Sequence, residues 1–159
     1  MRTRLAAGLC GLLTLLGAIF VLGMRRKWSP VLKAVRRSGR ATKGIALRTA
    51  GTSGADASIV RHVGRRSGRS YETPVRAVRT DDGFAVALPY GTTADWLKNV
   101  LANGTATIVY DGRTYSVDQP RVVPLAEVSS AFSASNRRAH CVFGVTQCLV
   151  LRRVDDRKG

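Results

Sequence analysis

Aromatic side chains and paired cysteines are both scarce in this chain of 159 residues. Phe, Trp and Tyr together supply ten side chains, and no recognisable module places them beside the basic residues. Base stacking is therefore not expected, and we predict no nucleic-acid partner. The three cysteines, Cys10, Cys141 and Cys148, form no C-x-x-C pair. We predict three reduced thiols that act as small hydrophobic side chains, and no metal site.

Acidic residues are almost absent from the first half of the chain. Residues 1–80 carry 17 Lys or Arg and 2 Asp or Glu, whereas residues 81–159 carry 9 and 8. The first half therefore holds +15 of the net charge of +16. Such a one-sided positive field is typical of proteins that bind nucleic acid, anionic lipid or a phosphorylated cofactor, and the scarcity of aromatic side chains disfavours the first of these.

One long run, residues 5–24, contains no charged residue. As a helix it is long enough to cross a bilayer core of about 30 Å. It ends directly in Arg25, Arg26 and Lys27, without the A-x-A-like site of a cleaved signal, although a cleaved signal stays open. The basic residues after the run predict a single-pass protein of the cell membrane, with membrane lipids as partners and the C-terminal domain in the cytoplasm.

Composition divides the chain into four predicted regions. Residues 1–27 form the membrane anchor, residues 28–55 a basic segment, residues 56–154 the folded domain and residues 155–159 a tail. The basic segment begins as an amphipathic stretch that either lies on anionic headgroups or is a solvated linker. From residue 42 it is rich in Gly, Thr, Ser and Ala, which predicts a loop.

The folded domain is predicted to be mainly β, of the α+β class. Runs rich in β-branched residues predict strands at residues 58–63, 73–79, 84–90, 105–110, 113–123 and 148–154. The pairs Asp82-Gly83 and Asp111-Gly112 predict hairpins. Helices are predicted at residues 92–103, where Thr92 and Asp95 have capping-box spacing, and at residues 125–134. This mixture predicts a small antiparallel barrel with added helices.

An arginine-rich turn carries the strongest chemical signal. Its two glycines permit a tight turn whose N–H groups point outward, its serine adds a hydroxyl, and its three arginines offer forked donors for phosphate or carboxylate. The spacing of a Walker loop is missing. The turn consists of Gly64, Arg65, Arg66, Ser67, Gly68 and Arg69. On these residues alone, a solvated basic turn between strands is an equally good interpretation.

Three blocks of sequence, taken in order, resemble the deazaflavin-dependent nitroreductase family, also called the reduced-deazaflavin-dependent quinone reductases. The blocks are HVGRRSGRSYETPV, DDGFAVALPYGTTADWLKNVLANG and FGVTQCLVLRR. The likeness covers roughly residues 57–153, with the intervals that the family shows. It implies a split β-barrel flavin-binding fold that binds the deazaflavin coenzyme F-420.

The resemblance also implies a set of cofactor-binding residues. The turn at residues 64–69 would hold the phosphate-bearing tail of the coenzyme, and Thr73 and Pro74 would begin the strand under its ring. A Tyr-Gly-x-x-x-Asp-Trp block would lie along the coenzyme. That block consists of Tyr90, Gly91, Thr92, Asp95 and Trp96. Trp96 is equally expected as a core residue and Asp95 as a helix cap, while His62 is expected to pack or to support the site from behind.

The implied activity is that of an oxidoreductase. It would pass a hydride from reduced F-420 to a quinone, a nitro compound or another lipophilic acceptor, a reaction that needs no Ser-His-Asp arrangement. No catalytic residue is assigned. Some relatives place tyrosines near the substrate, and the corresponding part of this chain departs from them. It has Arg137, Arg138, His140 and Cys141 instead.

Two alternatives stay open at this point. A split barrel can lose catalysis and keep its pocket, so the protein could be a non-catalytic binder of deazaflavin, fatty acid, heme or FMN. FMN could also replace F-420 as the redox cofactor, because it too carries a phosphate. Split barrels often pair, so a homodimer is left open as well.

Overall fold

The computed structural model describes residues 2–154, with only the backbone described for residues 2–12, 36, 39–43 and 45. The predicted tail at residues 155–159 and the side chain of Cys10 lie outside the described residues. The helices are α1 (Arg2–Arg25), α2 (Ser29–Thr49), α3 (Asp95–Asn103), a 3₁₀ helix (Leu125–Ala131) and α4 (Ala134–Val142). The strands are β1 (Ser58–Val63), β2 (Ser70–Val75), β3 (Ala77–Arg79), β4 (Gly83–Ala87), β5 (Thr105–Tyr110), β6 (Arg113–Pro124) and β7 (Gln147–Arg153).

The strands form one antiparallel sheet in the order β2-β1-β5-β6-β7-β4-β3. Strands β2 and β3 lie at the two ends of this order, yet only Arg76 separates them along the chain. The sheet must therefore curl until its ends approach each other, which makes it a half-barrel. This curled sheet with helices agrees with the predicted split-barrel, mainly β fold.

Two hydrophobic clusters lie on opposite faces of the sheet. Alternation along β4 explains them, because Phe84 and Val86 enter the larger cluster while Ala85 enters the smaller one. The larger cluster fills the concave face and takes Leu97 and Val100 from α3, both fully buried. The smaller cluster contains Ala85, Phe132 and Cys148 and lies under the 3₁₀ helix. Helix α3 is thereby fixed to the sheet beside the end of β1.

The predicted hairpins are confirmed, and the predicted helices are confirmed only in part. Helix α3 begins at Asp95 instead of residue 92, and its N-cap Ala94 makes no side-chain hydrogen bond, so the predicted capping box is wrong. The second predicted helix is a 3₁₀ helix that ends at Ala131. Helix α4, which was not predicted, follows it and is capped by Ser133, whose hydroxyl accepts from the N–H of Asn136.

The basic segment after the first helix is not a loop from residue 42. Helix α2 continues to Thr49, where Ala46 and Leu47 are half-buried, and it packs against α1 and β2. Pro30 lies in the first turn, where its missing N–H costs no helical hydrogen bond. The apolar stripe of this amphipathic helix therefore faces the domain.

The predicted membrane helix and single-pass location are wrong. Within the part of the chain that the structure describes, no helix has the length and apolar character needed to cross a bilayer. The guanidinium of Arg25 donates to the carbonyl oxygens of Cys141 and Val142, which ties the end of α1 to α4. Membrane lipids are not supported as partners.

Of the two cysteines whose side chains are described, Cys148 fits the prediction of a small buried hydrophobic side chain and Cys141 does not. Cys141 is exposed and Cys148 is buried, and both are free. Burial raises the pKa of the Cys148 thiol to about 12, so this side chain stays protonated and acts as a small hydrophobic group of the core.

Candidate active site

The arginine-rich turn joins β1 to β2 and closes on itself. The N–H of Gly64 donates to the carbonyl oxygen of Arg69 at 2.8 Å, and the N–H of Gly68 donates to that of Gly64 at 2.9 Å. A Cβ atom on Gly64 would lie 2.5 Å from Ser67 Oγ and 2.7 Å from Tyr71 Cε2. Any side chain at position 64 would therefore force Ser67 and Tyr71, which pack directly over this glycine, to move.

Helix α3 holds this turn through a polar stripe. Asp95, Asn99 and Asn103 are spaced at i, i+4 and i+8, so they share the helix face that looks toward the turn. The Oδ1 atom of Asn99 accepts from the backbone N–H of Arg65 at 3.2 Å and from its guanidinium at 2.7 Å. Asn103 Nδ2 donates to the carbonyl oxygen of Val63 at 2.8 Å. The stripe thus fixes both the end of β1 and the start of the turn.

The three arginines of the turn play different parts. Arg65 is the inward one, since its guanidinium also lies 3.2 Å from Asp95 Oδ1 and only 26% of its side chain is exposed. Arg66 and Arg69 are exposed, and among the described residues neither side chain has a hydrogen bond or ion pair with the protein. Two guanidinium groups thus have no partner in the described part of the chain, while the third stabilises the turn.

A second layer of side chains lies beneath the turn. Tyr71 and Ser67 share a hydrogen bond between their hydroxyl groups at 3.1 Å, and the Tyr71 ring stacks on His62 with centroids 5.8 Å apart. His62 is 6% exposed, with Nε2 3.2 Å from Thr73 Oγ1 and Nδ1 3.3 Å from Asn99 Nδ2. His62, expected to pack or to support the site, connects β1, β2 and α3.

A cavity of about 830 Å³ opens beside the turn. It brings together nine of the thirteen predicted cofactor-binding residues, namely Gly64, Arg65, Arg66, Ser67, Thr73, Pro74, Tyr90, Asp95 and Trp96. Four others, Gly68, Arg69, Gly91 and Thr92, do not line it. The volume is in the usual range of pockets that bind small molecules and cofactors.

Several cavity residues were not predicted as part of the site. They are Val35, His62, Tyr71, Thr93, Ala94 and Asn99. The polar stripe of α3 was a readable signal for Asn99, because an amide between two buried apolar residues needs a partner. Val35 carried no such signal, since it enters the wall only through the packing of α2 against β2.

The aromatic residues of the predicted block are placed at the rim. Trp96 is half-buried and packs against the larger core cluster, as expected for a core residue, and it also lines the cavity, so its contact with the coenzyme stays a prediction. Tyr90 is 38% exposed and lies in the segment after β4. That segment is held by Lys27, whose ammonium donates to the carbonyl oxygen of Pro89 at 2.9 Å, and burial lowers the pKa of this lysine.

The segment that replaces the tyrosines of relatives lies elsewhere. None of Arg137, Arg138, His140 and Cys141 lines the cavity. His140 packs edge-on against the ring of Phe132 with centroids 4.9 Å apart. Its Nδ1 atom is buried and has no hydrogen-bond partner among the described residues, and burial lowers the pKa of the ring. These residues lie on α4 and do not line the candidate site.

His140 should make stability depend on pH. Burial lowers the pKa of this ring in the folded state, whereas the unfolded chain binds a proton below the ordinary pKa of 6.5. Stability is therefore complete above that value and falls as pH falls below it. Replacing His140→Phe should flatten the decline of the urea unfolding midpoint between about pH 7 and pH 5. The exposed neighbour serves as control, since Cys141→Ser should keep the wild-type slope, and equal slopes in all three proteins would contradict the assignment.

Fold and cavity together define a class of protein, a split-barrel domain with a cavity of cofactor size beside a basic turn. Residues 32–152 match the family model of the F420H(2)-dependent quinone reductases. The match covers most of the chain, and this chain belongs to that family. It is an oxidoreductase whose cofactor is coenzyme F-420. The matched region begins inside α2, well before the limit at residue 57 that the sequence blocks indicated.

Solved structures support the fold. One, described as an F420-H2 dependent reductase, has a TM-score of 0.50 and 14% identity, and the similarity covers 61% of this chain and 94% of that one. A second, described as a domain-swapped dimer, has a TM-score of 0.50 and 13% identity, with 78% and 100% covered. No curated protein matches this chain. At these identities the structural likeness is evidence for the fold alone.

Proposed function

We propose that this protein binds reduced F-420 in the cavity beside the arginine-rich turn and passes its hydride to a quinone, a nitro compound or another lipophilic acceptor. The observation that carries the proposal is the state of Arg66. It lines the cavity, and among the described residues it has no protein counter-charge. A guanidinium left unpaired beside a cavity of cofactor size favours a ligand with an acidic group.

The cavity residues fit the coenzyme that the family uses. The N–H groups of the turn, the Ser67 hydroxyl and the forked donors of Arg66 and Arg69 suit a phosphate-bearing, acidic tail. Thr73 and Pro74 lie on β2 where the wall turns toward Tyr90 and Trp96. These apolar and aromatic side chains suit a flat heterocycle. We therefore assign the tail to the turn and the ring to the wall between β2 and α3.

The coenzyme and the protein make different contributions to the reaction. The reduced deazaflavin, when bound, supplies the hydride. The chain supplies binding through the turn and orientation through β2 and α3. It also excludes water through the apolar wall, to which α2 contributes Val35. The same wall suits a lipophilic acceptor, and the family description supports a quinone.

Titration of the full chain with three ligands tests the cofactor and the non-catalytic alternative together. Oxidised F-420, FMN and heme are added separately, and ligand absorbance or fluorescence is followed. We expect F-420 to bind with a micromolar or lower Kd, equivalent to about 8 kcal/mol or more, and to bind more tightly than the other two. Clear preference for FMN or heme would overturn the proposal.

Steady-state oxidation of reduced F-420 with menadione then tests the reaction. Turnover that saturates in both the coenzyme and the quinone is the expected result. Tight binding of F-420 without turnover by menadione or by a nitroaromatic acceptor would favour the non-catalytic binder. The homodimer that the sequence left open belongs to the same proposal, and a structural relative described as a domain-swapped dimer supports it. The molar mass of the full chain from light scattering decides that point.

A further inference from the structure

A chain of hydrogen bonds runs from the turn through α3 and β1 to β2. Asn99 is its centre and is 6% exposed. Its Oδ1 atom already accepts two N–H groups of Arg65, at 3.2 Å and 2.7 Å. A flipped amide would set the Nδ2 donors against these two donors. The orientation of the Asn99 side chain is therefore determined by Arg65, and Nδ2 must face His62.

This orientation determines which nitrogen of His62 carries the proton. The Nδ2 atom of Asn99 can only donate, so His62 Nδ1, 3.3 Å away, must accept. A neutral imidazole with an accepting Nδ1 carries its proton on Nε2. That Nε2 lies 3.2 Å from Thr73 Oγ1 and donates to it. The hydroxyl oxygen of Thr73 is thereby used as an acceptor.

The hydroxyl proton of Thr73 is left for the cavity. Thr73 lines the cavity, and no carbonyl or carboxylate oxygen in the described part of the chain accepts from its hydroxyl. A hydroxyl that accepts from a buried histidine cannot turn its own proton back toward that histidine. It therefore presents a donor to whatever lies in the cavity. The guanidinium of Arg65, at the other end of this series of hydrogen bonds, polarises each of them in the same direction.

We propose that Asn99 and His62 are positioning residues that direct the Thr73 hydroxyl proton toward a hydrogen-bond acceptor on the heterocycle of the bound ligand, a carbonyl oxygen or an unprotonated ring nitrogen. The proposal rests on the proposed function, because the heterocycle is that of the coenzyme. It also restricts the orientation of the bound heterocycle, since the edge that contacts Thr73 must carry a hydrogen-bond acceptor and not a donor.

The first test determines, without any ligand, which group donates and which accepts in the hydrogen bonds between Asn99, His62 and Thr73. In ¹⁵N NMR spectra of the full chain, at a pH well above the usual imidazole titration, the His62 proton is expected on Nε2. Asn99→Asp replaces the donor with a carboxylate, so the proton should move to Nδ1 and leave Nε2 to accept from Thr73. Lys98→Gln changes the charge of α3 by the same amount at an exposed site and should leave the proton on Nε2. A wild-type ring protonated on Nδ1, or an Asn99→Asp ring still protonated on Nε2, overturns the inference.

The second test measures the affinity and the absorption spectrum of the bound coenzyme. Thr73→Val removes the hydroxyl at nearly constant shape and should weaken binding of oxidised F-420 about 3- to 10-fold. It should also shift the absorption band of the bound coenzyme. Thr73→Ser keeps the donor and should restore both. Asn99→Asp should weaken the affinity for F-420 by a similar factor. Adding Thr73→Val to it should weaken the affinity little further, because both changes remove the same donor.

The outcomes separate this inference from the function on which it rests. If the wild type fails to bind F-420, the proposed function falls, while the NMR result still reports the state of His62. If the wild type binds F-420 and Thr73→Val binds equally tightly with an unshifted band, the positioning role falls and the function stands. Should Asn99→Asp fail to fold, the Val and Ser variants at Thr73 still decide the inference.

Discussion

Replacing both Arg66 and Arg69 with alanine is expected to weaken binding of oxidised F-420 at least tenfold while leaving the unfolding midpoint almost unchanged. The physical reason is that neither guanidinium has a protein partner within the described chain, so their removal breaks no internal contact. A shielded charge-assisted hydrogen bond contributes about 1.5–3 kcal/mol, which corresponds to roughly 10- to 100-fold in Kd. Fluorescence titration of the coenzyme gives the affinity, and urea denaturation gives the stability.

The single variants should divide this effect unequally. Arg66 lines the cavity and Arg69 does not, so Arg66→Ala should account for most of the loss. Arg65→Ala should behave differently, because it removes the bonds to Asn99 and Asp95 and so lowers the unfolding midpoint as well. An Arg65→Ala protein as stable as the wild type would contradict this distinction.

A charge-matched control separates local contacts from the general positive field. Arg113 and Arg121 are exposed and lie outside the cavity, on β6. Replacing both with alanine removes the same charge and should change the affinity less than twofold in about 0.15 M salt, where distant charges are screened. If this control loses as much affinity as the Arg66 and Arg69 pair, the turn is not the binding site for the tail.

Strand positions could be predicted well because their signal is local. Strands β1 and β5 have the predicted bounds, since β-branched residues alternate or cluster between clear turn residues. Helix α4 could not be predicted in the same way. Its sequence has no apolar stripe, and its C-terminal carbonyl groups are satisfied by Arg25, 116 residues earlier than Cys141. A contact so distant along the chain leaves no local pattern.

The candidate site was likewise predictable where its signal is local in sequence and not where it depends on distant contacts. The motif GRRSGR predicts a tight basic turn, and the turn is present between β1 and β2. The pattern cannot tell Arg65 from Arg66, because the two are adjacent and identical in kind. The difference arises when α3 presents Asp95 and Asn99 to one of them. Uncharged length alone likewise does not reveal the contacts of Arg25 and Lys27 with the domain.

Two Asp-Gly hairpins that look equivalent in sequence are expected to respond very differently to alanine. Gly83, at the start of β4, faces β7 so closely that a Cβ atom would overlap the carbonyl oxygen of Leu151 and lie 2.7 Å from the amide nitrogen of Arg153. Both are backbone atoms and cannot rotate away. Gly83→Ala should therefore separate β4 from β7 and cost about 3 kcal/mol or more of the free energy of unfolding. Urea denaturation with an unchanged slope measures this loss.

Gly112 supplies the matched comparison, because its role is conformational. Its φ of 74° lies in the left-handed region, but the nearest atom to an added Cβ would be 3.7 Å away. Gly112→Ala should cost only the backbone strain of that region, about 1–2 kcal/mol. The two variants should also differ in ligand binding, because β4 leads directly to the segment that carries Tyr90. Gly83→Ala should therefore weaken F-420 binding while Gly112→Ala leaves it unchanged. Equal losses of stability in the two variants would show that the close approach of β4 and β7 is not what requires glycine at position 83.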